Sequence, residues 1–114
     1  MNPLYLTPEE LLAGSIITFD VVIPPDVLRP GESNPGQEMI VQLRPLTIGT
    51  FGLIMKAAKN DPGLVPLLMI KESLVQPKLS LEQAKAMHLG LVNFLIAHIR
   101  QISGLSEKKS PSAD

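Results

Sequence analysis

The spacing of apolar residues changes at Pro45, and that change limits the folds open to this chain. Upstream, apolar side chains recur at every second position. Ile17, Phe19, Val21 and Ile23 fall on one side of an extended chain, with Thr18 and Asp20 on the other. Met39, Val41 and Leu43 repeat the pattern against Gln42 and Arg44. A period of two is that of a strand with one face toward a core. Residues 15–23 and 39–44 therefore predict two strands, pairing antiparallel. Downstream of Pro45 the spacing becomes three to four, which is helical. A strand pair is marginal alone and needs helices, or a partner's strand, against it. The expected fold is α+β and mostly helical: an N-terminal antiparallel two-stranded β-hairpin packed on a bundle of about three helices, in one domain over 1–105.

Local signals set the expected boundaries. Thr7-Pro8-Glu9-Glu10 reads as a helix start, with Thr as N-cap, Pro at the first position and acids near the positive end of the helix dipole. Gly14 should stop that short helix. Residues 24–38 hold four prolines, two glycines, Ser and Asn, so a loop is expected there. Thr47 caps a helix over 47–59, with Phe51 placed to meet Leu46. A second helix spans 64–75, where Pro66 is tolerable only in the first turn. Ser80-Leu-Glu-Gln83 is a capping box that opens a last helix over 81–103, closed by Gly104. Residues 106–114 are small and charged and should form a frayed tail.

Composition narrows the function. Hydrophobic residues are 45% of the chain, charged residues 18% and aromatics 4%. A chain of 114 residues cannot hide that much apolar surface, and a contiguous exposed patch marks an interface. Scattered exposed leucines would satisfy the same numbers. The net charge of −1 offers nothing to a phosphate backbone or an anionic membrane. There are no cysteines, hence no disulfides, thiolate metal sites or cysteine nucleophiles. The first ten residues lack the basic region of a signal peptide, and no run reaches the ~20 apolar residues of a membrane span. The expected location is the cytoplasm.

The last helix carries the candidate site. At about 100° per residue, Leu81, Ala84, Met87, Leu91, Val92, Phe94, Leu95, Ile99 and Ile102 form one broad core stripe. Leu89 and Ile96 form a second apolar ridge beside Lys85 and Arg100. Ala86, Gly90 and Ala97 make a strip of small residues. A helix apolar on two sides is buried on two sides. Either a partner or second copy covers the ridge, or the other helices of the domain wrap it. Leu89, Ile96, Lys85 and Arg100 are therefore the candidate protein-binding residues.

Chemistry-bearing motifs are missing from the sequence. It has no nucleotide-binding loop, no nucleophile elbow, no His-Glu-x-x-His and no calcium loop. His88 and His98 are ten residues apart and cannot chelate one metal from one helix turn, so hydrogen-bonded structural roles are expected. Gly49-Thr-Phe-Gly52 has the spacing of an RNA-clamping loop without its basic residues, which leaves close helix packing as the expected use of the glycines. No catalytic residue, cofactor or metal is expected, and no nucleic-acid or membrane partner.

Three segments carry a resemblance: Val41-Gln-Leu-Arg-Pro-Leu-Thr47, then Leu67-Leu-Met-Ile-Lys-Glu-Ser-Leu-Val-Gln-Pro-Lys-Leu-Ser80, then a long helix closing at Ile102-Ser-Gly-Leu105. The region 39–105 resembles the small tail assembly chaperones of long-tailed phages and related tail-like elements. The resemblance implies a non-catalytic helper that binds the long helices of a tape-measure protein, keeps them soluble and assists tube assembly. A structural tail-tube or baseplate component of a contractile injection system is the neighbouring possibility, and a regulatory adaptor unrelated to tails is the other.

Overall fold

The computed structural model describes residues 4–31 and 38–105. The expected tail at 106–114 and the middle of the 24–38 loop lie outside the described residues. The fold is α+β, with a three-stranded antiparallel sheet on one side of a helical layer.

Strands β1 (Phe19–Ile23) and β2 (Met39–Leu43) pair antiparallel, with Val21 opposite Val41. Alternation turns Val21, Ile23 and Leu43 into the core. On the outer face Val22 lies opposite Ile40, and the Gln42 amide donates to Asp20 at 3.4 Å. The first strand is shorter than expected. Gly14 does not end the opening turn: helix α1 (Pro8–Leu12) runs on into a 3-10 turn over Ala13–Ile16 that takes up Ser15 and Ile16. Its Thr7 cap forms as the sequence predicts, and the Glu10 side chain adds a reciprocal contact that completes a capping box.

A third strand corrects the hairpin. β3 (Leu74–Gln76) pairs with the far edge of β2, with an irregular register at Gln42 and Leu43. Leu74 and Val75 continue an apolar helical run and so were expected to be helix. Tertiary pairing takes them into the sheet instead. The expected loop is also partly helical, with Pro25 opening α2 (Pro25–Leu28) and Asp26 in its first turn.

After the sheet come α3 (Ile48–Ala57), α4 (Leu64–Ser73), α5 (Leu81–Lys85) and α6 (Leu89–Ile102). Pro66 stands in the first turn of α4, where its missing N–H has no intrahelical partner. The single last helix expected over 81–103 is broken. The capping box at Ser80 forms, but α5 ends at Lys85 and His88 caps a new helix, its Nδ1 accepting from the Leu91 N–H at 3.2 Å. Gly90 permits this: a Cβ there would stand 3.3 Å from the His88 ring. His98 bonds within α6, its Nδ1 3.1 Å from the Phe94 carbonyl oxygen. Gly104 closes the helix at φ 75°, as a C-terminal glycine does.

The predicted core stripe survives the break. Ala84, Val92, Leu95 and Ile99 are buried, and Leu81, Met87, Leu91, Phe94 and Ile102 are half-buried. Those from Met87 onward join Met69 and Ile70 of α4 and the inward residues of the sheet in one cluster.

One corner ties the resemblance segments together. The Arg44 N–H donates to the Ser73 carbonyl at 2.9 Å, and the buried Ser73 hydroxyl donates back to the Arg44 carbonyl. The Arg44 guanidinium reaches the Glu72 carbonyl at 3.1 Å. The Leu46 N–H donates to the Ser103 hydroxyl at 2.8 Å. These contacts hold β2, α4 and the end of α6 in register.

Candidate protein-binding surface

The four candidate residues do not form one surface of equal exposure. Leu89, in the first turn of α6, is 78% exposed. Ile96, two turns on, is half-buried and packs on the core cluster. Lys85 lies on α5, before the break, paired with Glu82 at 3.6 Å. Arg100 donates to the Leu105 carbonyl at 3.1 Å and so helps close α6. Within the domain, Ile96 is a packing residue and Leu89 the apolar member left in solvent. Leu89→Ser should leave unfolding free energy within about 0.5 kcal/mol of wild type, and Ile96→Ser should cost about 1–3 kcal/mol. Urea denaturation of the two variants measures the difference, and equal losses would return both residues to one role.

The larger uncovered apolar surface is on α3. Its sequence, Ile-Gly-Thr-Phe-Gly-Leu-Ile-Met-Lys-Ala, is apolar nearly all round, with one buried residue, Ile54. Thr47 starts it by accepting from the Thr50 N–H at 3.1 Å. Packing on α4 uses one side only. Ile48 is left 89% exposed, Leu53 68% and Met55 47%. Gly49 and Gly52 do not serve close packing inside the domain, because a Cβ on Gly52 would meet nothing within 4 Å.

A groove of about 210 Å³ lies between α3 and α4. Thr50, Leu53, Ile54, Ala57, Leu68 and Glu72 line it. The lining is mostly aliphatic, with a carboxylate at one rim. The basic residues of this region, Lys56 and Lys59, have no ion-pair partner among the described residues. A shallow apolar groove beside an apolar helix ridge is the shape that accepts the apolar stripe of another helix. Sequence reasoning missed α3 because periodicity shows which residues are apolar, not which of them the fold leaves uncovered.

No protein-family model, curated protein or solved structure matches the chain.

Among the described residues, no three His, Asp or Glu side chains gather in a metal-holding group. No helix among them is long and apolar enough to cross a membrane.

Proposed function

We propose that this chain is a non-catalytic protein-binding helper of phage-type tail assembly, acting in the host cytoplasm, and that it receives an apolar-striped helix of a tape-measure-like partner along α3. The observation that carries this reading is the uncovered apolar surface of α3, with Leu53 at the edge of the α3–α4 groove and Ile48 and Met55 on the other flank of the helix. The segments that resemble tail assembly chaperones add to it, since they build the frame that holds α3 and α4 in place. The binding face moves accordingly from the Leu89 and Ile96 side of α6 to α3.

The test is co-expression with a candidate tape-measure-like long-helix protein, followed by capture and a thermal melt. Leu53→Asp places a charge where the partner's apolar stripe would sit, on a residue the domain itself leaves exposed. Capture should fall at least ~10-fold, because interface energy concentrates in a few apolar anchors, and the melt should not change. Full capture by Leu53→Asp with an unchanged melt would remove α3 as the binding face. Finding the chain in finished particles would favour a structural tail component over a chaperone.

A further inference from the structure

The first described residues form an arm with no core of its own. Helix α1 buries no residue, and its only substantial packing is with the 3-10 turn that follows it. Leu4, Tyr5, Leu6, Leu11, Leu12 and Ile16 are each more than half exposed. The arm is nonetheless a shaped element, since Thr7 and Glu10 close a complete capping box around it.

The arm and the Lys56 side of α3 are opposite in charge, while Glu72, on the α4 rim of the groove, is acidic like the arm. Glu9 and Glu10 are the only charged residues over 4–19, and both are acidic. Lys56 and Lys59 are the only charged residues over 45–60, and both are basic. Each surface also pairs a charge with a leucine three positions away, which puts the two on one helix face. On α1 the order along the chain is Glu9 then Leu12. On α3 it is Leu53 then Lys56. If α1 lies antiparallel on α3, Leu12 meets Leu53 and Glu9 meets Lys56 together.

We infer that the arm, residues 4–17, seats along the Leu53–Lys56 edge of the α3–α4 groove of a second copy of this chain, with α1 antiparallel to α3. The exchange is reciprocal, so the contact is self-complementary and closes as a two-fold dimer. Each copy contributes its arm, the exposed side of α3 and the α4 rim of the groove to the contact. This uses the same groove as the function proposed above, so the arm of a neighbour covers the face until a partner helix displaces it. The test uses the chain alone, and its failure leaves partner capture to be judged separately.

The chain has no cysteine, so introduced ones report without background. Full-length Glu9→Cys and Lys56→Cys are mixed in equal amounts and mildly oxidised, with Glu9→Cys plus Lys85→Cys as the control pair. Non-reducing gels should show a Glu9→Cys/Lys56→Cys product at twice the chain mass, several-fold stronger than the control. Light scattering of the unmodified chain should give a mass near twice 12.4 kDa. Glu9→Lys should reduce the dimer fraction several-fold, and adding Lys56→Glu should restore it. A monomer at all concentrations overturns the inference. So does a chain carrying both Glu9→Cys and Lys56→Cys that cross-links only within itself, which would place the arm on its own groove. So does charge reversal without rescue.

Discussion

Leu95→Asp should abolish the cooperative melt of the domain. Leu95 lies at the centre of α6 and is 3% exposed, between buried Val92 one turn before it and buried Ile99 one turn after. Its neighbours in the cluster are aliphatic side chains from α4 and the sheet, none of which can pair with a carboxylate. An unpaired buried charge costs several kcal/mol, and a domain of this size holds about 5–15 kcal/mol in all. Leu91→Asp, at a half-buried position on the same stripe, should lose less. Circular dichroism melts of the two variants check the order. A wild-type midpoint for Leu95→Asp would mean that α6 is turned the other way.

Ile70→Ala should cost about 2–5 kcal/mol in urea denaturation, as deletions at sites that cannot collapse do. Ile70 is fully buried on α4, the helix that packs against α3, α5, α6 and β3. A cavity there has neighbours on every side and little freedom to close. A loss below about 1 kcal/mol would place α4 at the edge of the fold rather than its centre.

These two residues also mark where sequence reading works and where it stops. Leu95 was legible, because α6 is amphipathic and its stripe points one way. Ile70 was not, because Leu64-Val-Pro-Leu-Leu-Met-Ile70 is apolar on every side and periodicity selects no face. The caps at Thr7, Thr47 and Ser80 were legible as short-range chemistry. The break before α6 was not, since a histidine N-cap lies outside the residue types that usually signal a helix start. Strand β3 was hidden for a different reason. Three residues at the end of a helix join a sheet only because β2, some thirty positions earlier, offers its far edge.

The candidate site follows the same division. That apolar surface exceeds what the domain can bury was readable from composition. Its location was not. The ridge at Leu89 and Ile96 is divided between solvent and core, whereas α3, whose side chains look equally suited to a core, is left outside by the way α4 lies.

The corner at Arg44 bears on how the protein comes into being. Its hydrogen bonds join residues 29 and 57 positions apart, Arg44 with Ser73 and Leu46 with Ser103. During synthesis β1 and β2 leave the ribosome together and can pair at once. Their inward face, Val21, Ile23 and Leu43, has no cover until α4 and then α6 have followed. Until α4 has been made, the nascent chain is a two-stranded ribbon with one oily side, the kind of species that aggregates before it folds.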